Sequence, residues 1–176
     1  MYIRSLIFAA LACALAPSGL ADSQATAPPS PSRTVSLDLS EGTWMSLDVS
    51  PDGAHILFDL LNDIYVMPAS GGTAVAVHDG AAAQRSPQFS PDGQSMVYLS
   101  DESGADNIWI SSLDGSGTQQ ITHETHAMIA GPAWSADGNA IAAVKTYSDI
   151  FRVRNSEIHL YSLDGSSDEI VVPPPA

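Results

Sequence analysis

The sequence predicts an all-β chain made of three copies of one four-stranded antiparallel unit, and three in-phase landmarks carry that expectation. The first is a turn. Ser50-Pro51-Asp52-Gly53 returns as Ser90-Pro91-Asp92-Gly93 and, with one change, as Ser135-Ala136-Asp137-Gly138. The spacings are 40 and 45 residues. The second is a strand-like signal, Asp63-Ile64-Tyr65, Asn107-Ile108-Trp109 and Glu157-Ile158-His159. The third is Gly71, Gly115 or Gly165 seven residues past each Ile, with Val77, Ile121 or Val171 six residues further on. A period in this range marks a chain stacked from one supersecondary unit.

Each element of the unit has a local reason. The first strand ends on an apolar residue three positions before each turn Asp: Val49, Phe89 and Trp134. In the turn, Pro51 and Pro91 preset φ, Asp52, Asp92 and Asp137 cap with their side chains, and Gly53, Gly93 and Gly138 take the left-handed position. The second strand opens on Ile56-Leu57-Phe58, Met96-Val97-Tyr98 or Ile141-Ala142-Ala143. The Ile of the second landmark sits on the third strand. Gly71, Gly115 and Gly165 then turn the chain into the fourth, twice as Leu-Asp-Gly (Leu113-Asp114-Gly115, Leu163-Asp164-Gly165) and once more loosely as Ala69-Ser70-Gly71-Gly72. Four strands in about 40 residues is the size of a propeller blade. The expectation is therefore a partial β-propeller of three blades, at about 43–80, 84–124 and 130–172, within a repeat region of 34–176.

An orphan strand precedes the blades, where Val35, Leu37 and Leu39 alternate with polar residues. Residues 1–21 read as a secretory signal peptide: Arg4 gives a positive start, Leu6 to Leu15 an apolar stretch, and Gly19-Leu20-Ala21 a small-x-small cleavage signal. The stretch is too short to span a membrane. A lipoprotein signal acylated on Cys13 is the rival reading, and the absence of Leu three positions earlier disfavours it. Residues 22–33, rich in Ala, Ser and Pro, read as a linker. The expected location is periplasmic or secreted.

The turn, the Ile-Tyr or Ile-Trp third strand and the Asp-Gly before the fourth resemble the TolB-type, WD-repeat-like β-propeller over residues 34–172. The stretch from Glu41 to Ser50, followed by Phe58-Asp59-Leu60-Leu61-Asn62-Asp63-Ile64-Tyr65, is similar to the N-terminal propeller of large exported amidohydrolases. Related propellers cap tricorn-type and prolyl-oligopeptidase-type peptidases. In such propellers an N-terminal strand completes the last blade. The blade it would complete is missing here, so the resemblance implies a fragment whose remainder supplies further blades and a catalytic domain. Open strand edges also make self-association the expected behaviour.

Composition adds exclusions. The formal net charge is −14, and loss of Arg4 takes it to −15, which repels nucleic acid. The single cysteine lies in the signal segment, so no disulfide is expected. No Gly-x-Ser-x-Gly elbow, phosphate loop or His-x-His strand occurs. His123-Glu124-Thr125-His126 is a weak metal candidate: its histidines are three apart, as a helix would need, in a stretch that reads as strand end and loop. The histidines are expected as solvated loop residues. No catalytic residue, metal or cofactor is expected in this chain.

A docking face is the functional expectation instead. The distance from turn Asp to third-strand Ile grows from 12 to 16 to 21 residues, so length variation concentrates in the loop between the second and third strands. Variable loops on a rigid scaffold carry binding. Arg85 falls in a loop between blades, and Lys145, Arg152 and Arg154 in or beside the third such variable loop. With His123, His126, Tyr147 and Phe151 they form the candidate face for an acidic protein partner or a missing catalytic domain. Two readings compete: the propeller segment of an exported hydrolase, and a stand-alone interaction module of the TolB type.

Overall fold

The computed structural model describes residues 42–148 and 154–173. The predicted signal peptide, linker and orphan strand lie outside the described residues, as do Phe151 and Arg152. The described residues form twelve strands and no helix, grouped into three four-stranded sheets in sequence order. Blade 1 holds β1 (Leu47–Val49), β2 (His55–Leu60), β3 (Asp63–Pro68) and β4 (Val75–His78). Blade 2 holds β5 (Gln84–Phe89), β6 (Ser95–Ser100), β7 (Asn107–Ser112) and β8 (Gln119–Gln120). Blade 3 holds β9 (Met128–Trp134), β10 (Ala140–Ser148), β11 (Arg154–Ser162) and β12 (Asp168–Val172). Every neighbouring pair is antiparallel.

Register decides which side chain meets which blade. In β6, Met96 and Tyr98 face blade 1, whereas Val97 and Leu99 face blade 3. Both sets are buried because blade 2 is covered on both sides. The side-chain period of two splits the strand between two cores. Leu57, Ile64, Phe89, Met96 and Tyr98 form the core between blades 1 and 2. Val97, Leu99, Ile108, Ile121, Ile129, Ile141, Ala143 and Tyr161 form the one between blades 2 and 3. Each large buried side chain contributes about 1.5–3 kcal/mol.

The predicted turns share one hydrogen-bond design. Ser50 Oγ donates to Asp52 Oδ1 at 2.6 Å, and the same carboxylate accepts from Ala54 N at 2.9 Å. Gly53 closes the turn onto Ser50 O at 2.8 Å with φ +72°. Ser90 with Asp92 and Ser135 with Asp137 repeat it. The turn before β12 does too, through Ser162 and Asp164. The turn before β8 uses Ser116 on Asp114. These serine and backbone donors hold Asp52, Asp92, Asp114, Asp137 and Asp164 below the ordinary carboxylate range, Asp164 down to about 2. A depressed folded pKa stabilises above the unfolded value, about 3.9, and that stability is lost as pH falls through the folded value. The urea midpoint is therefore expected to drop steadily between about pH 4 and pH 2. A flat midpoint across that window would contradict the turn design.

Candidate functional site

Consecutive blades share two rims. One carries the Asp-Gly turns, stacked closely enough that a Cβ on Gly93 would lie 3.4 Å from Pro51 Cδ. Among the described residues, the opposite rim carries the loops from β2 to β3 and β6 to β7, together with the connections between blades. Of the candidate docking residues among the described positions, Arg85, Tyr147 and Arg154 lie at or next to strand ends, His123 and His126 in a connection between blades, and Lys145 within β10.

Arg85 is the second residue of β5 rather than part of a loop, and its guanidinium pairs with Asp106 in the β6–β7 loop. It borders a cleft of about 460 Å³ with Trp44, Asp59, Leu61 and Gln84. His123 and His126 are exposed in the connection after β8 and belong to no strand. No group of three or more His, Cys, Asp or Glu among the described residues is arranged to hold a metal. Tyr147 is exposed near the end of β10, and Arg154 opens β11.

Lys145 behaves differently from the expected surface cation. It follows Ile141 and Ala143 on the face of β10 that packs on blade 2, and its residue is buried. Its Nζ pairs with Glu124 and, at 3.2 Å, with Asp168, and lies 5.4 Å from the Tyr147 ring centre. Burial alone would depress its pKa, but hydrogen bonds to Glu124, Tyr147 and Asp168 outweigh that and raise it above the ordinary lysine value. Burial likewise pushes the Asp168 carboxyl up, and hydrogen bonds from His159 and Lys145 bring it below its usual range. His159 is buried in β11 rather than solvated in a loop, with Nδ1 on Asp168 and Nε2 on Glu157 at 2.9 Å. Tyr161 stacks on that ring, 5.9 Å between centroids, and burial raises its pKa. Lys145, His159, Tyr161 and the three carboxylates form a cluster beside a shallow cleft bordered by Thr122, His123, Glu124, Tyr161 and Asp168. Lys145 and His159, held by Glu124, Glu157 and Asp168, tie the strands of blade 3 to the connection from blade 2 rather than offering a charge to a partner.

Sequence reasoning missed this cluster. A lysine in the inward register of β10 was its one signal. It also missed Asp59, which alternates inward behind Leu57 and is buried. Asp59 accepts Ser46 N at 2.8 Å and Ser86 N at 2.7 Å, joining β5 to blade 1. Ser86 holds φ +53°, a conformation that serine seldom adopts.

Residues 33–171 match the TolB beta propeller domain family, and the chain belongs to it. The tricorn protease homolog 1 of Streptomyces coelicolor is 28% identical over 115 residues, 65% of this chain and 11% of that protein. An uncharacterized protein of Agrobacterium fabrum is 28% identical over 127 residues, covering 68% of this chain and 43% of its own length. Among solved structures, a putative TolB from Agrobacterium tumefaciens superposes with TM-score 0.64 at 25% identity, over 74% of this chain and 50% of that one. TolB from Acinetobacter baumannii gives 0.61 at 23%, over 76% and 33%. The chain thus spans half or less of each of these relatives. Among the described residues, no helix is long and apolar enough to cross a membrane.

Proposed function

We propose that the chain is the non-catalytic propeller segment of an exported hydrolase, and that it acts by docking protein on its loop rim. The observation that carries this reading is a three-blade array with an uncovered sheet at each end, in a family whose repeat makes up a small share of a far longer peptidase homologue. Amidohydrolase is the class favoured by Glu41 to Ser50 and Phe58 to Tyr65. A propeller cap of a tricorn- or prolyl-oligopeptidase-like peptidase is the related alternative. The stretch from Arg4 to Ala21 supports a periplasmic or secreted location. The transcript downstream of codon 176 tests the reading. Further Asp-Gly hairpins followed by a His-x-His strand support it. A terminator and an unrelated gene overturn it in favour of the stand-alone TolB-type module, which the half-length match to a TolB supports.

Docking on the loop rim has its own expected result. Arg152→Glu with Arg154→Glu slows association with an acidic partner, and the effect shrinks above about 0.15 M salt, where screening acts within about 8 Å. Lys145→Met combined with Glu124→Gln leaves the association rate unchanged, because that ion pair carries no net charge to steer a partner. Stopped-flow rates across a salt series check both. Equal rates for wild type and the double Glu variant would remove the arginines from the face.

A further inference from the structure

The two end sheets of the array carry the two halves of a packing pair that the chain already uses twice inside itself. On the face of each blade that looks forward, the inner positions are Leu57 and Ile64 in blade 1 and Val97, Leu99 and Ile108 in blade 2. Blade 3 has Ala142, Val144, Ile158 and Leu160 in this register, since Val144 pairs with Ile158 and Ala142 with Leu160. On the face that looks back, blade 2 presents Met96, Tyr98 and Trp109 to blade 1. Blade 1 has Ile56, Phe58 and Tyr65 at the same positions, with Phe58 stacked on Tyr65 at 5.6 Å.

Coverage is what differs. Met96, Val97 and Ile108 are fully buried. On the forward face of blade 3, Val144 and Ile158 are 36% and 39% exposed, and Met128 and Val172 extend the same face outward. On the back face of blade 1, Leu47 and Val49, cross-strand partners of Phe58 and Ile56, are 65% and 48% exposed. Each end face also carries an acid in the same register, Glu169 opposite Leu160 in blade 3 and Asp63 opposite Leu60 in blade 1. Apolar patches of this kind are surfaces awaiting a partner.

We propose that the 176-residue chain pairs with a second copy of itself, the forward face of blade 3 in each packing on the back face of blade 1 in the other. A head-to-tail contact forms a closed ring when its rotation closes and a filament when it does not. The half-length match to the A. tumefaciens TolB favours closure at two copies, because the same stacking there accommodates about twice this much chain. Closure removes both open ends at once. The inference concerns the chain of 176 residues by itself, since further blades joined to it, as the proposed function expects, would occupy the same two faces.

Sedimentation velocity of the full chain tests it. The expected result is a two-copy species whose mass does not grow with concentration and whose pairing strengthens as salt rises, because salt screens the repulsion between two acidic copies while the apolar contact remains. Val144→Lys and Phe58→Glu, made separately, should each give single copies with unchanged strand content by circular dichroism. Mixed together, the two variants should pair again, since one seam is then intact and the other sets the introduced lysine against the introduced glutamate. A single-copy wild type overturns the proposal. Mass that climbs with concentration also overturns it, pointing to open-ended association. Failure of the mixture to pair rules out the head-to-tail contact.

Discussion

Replacing Asp59 with leucine is expected to lower the unfolding free energy by about 3 kcal/mol, although leucine is apolar and fits the volume. The reason is what the carboxylate accepts. Ser46 N and Ser86 N, from two different blades, donate to its two oxygens at 2.8 and 2.7 Å. Hydrogen bonds to a charged acceptor are worth about 1.5–3 kcal/mol each, and the sum is reduced here because Ser46 and Ser86 are only half-buried and their amides can partly reach water. Ser86 also loses the partner that holds its left-handed backbone in place. Asp59→Asn keeps one acceptor oxygen and should lose about half as much. Urea unfolding with a constant m-value checks both. A leucine variant within about 0.5 kcal/mol of wild type would show that the Asp59 hydrogen bonds add nothing net to the contact between blades 1 and 2.

Asp59 also marks where the sequence was legible and where it was not. Strand order, the Asp-Gly turns and the third-strand Ile could all be read because each is a local rule repeated three times in phase. Val97 and Leu99, by contrast, could be read as core but not assigned to a blade, since only register separates them from Met96 and Tyr98. Polar residues inside the stack were harder still. Asp59, Lys145 and His159 break the apolar pattern at single positions in single blades. Repetition cannot point to them, and their partners lie from 2 to 27 residues away. The candidate docking set was read from charge and loop length, and charge cannot distinguish a free lysine from a neutralised one. Arg85 and Lys145 have paired with acids from neighbouring segments for that reason. Of the second turns, only that of blade 3 uses the serine two positions before the Asp, Ser162, whereas the blade 2 turn uses Ser116 two positions after it.

Gly115→Ala is expected to destabilise by about 3 kcal/mol, and Gly53→Ala by only about 1, although the two glycines have nearly the same backbone angle. Their φ values are +80° and +72°, so each alanine meets a left-handed strain of about 1–2 kcal/mol. The surroundings separate them. A Cβ on Gly53 would meet nothing within 4 Å, whereas one on Gly115 would lie 2.6 Å from the carbonyl oxygen of Val77. That oxygen belongs to β4 of the preceding blade, so the contact cannot be relieved by swinging a side chain aside. Either the β7–β8 turn or β4 must move, and overpacking of this kind costs about 1–3 kcal/mol. The turn glycine of blade 2 therefore serves a second purpose beyond reversing the chain: it lets one blade approach the backbone of the last. Gly165 makes a milder version of the same approach, 3.0 Å from Ile121 O, and its alanine variant should fall between the two. Parallel urea titrations of the three variants should return the order Gly115, Gly165, Gly53. Equal losses would mean that only the turn conformation matters, and that the blades stack without backbone contact at this rim.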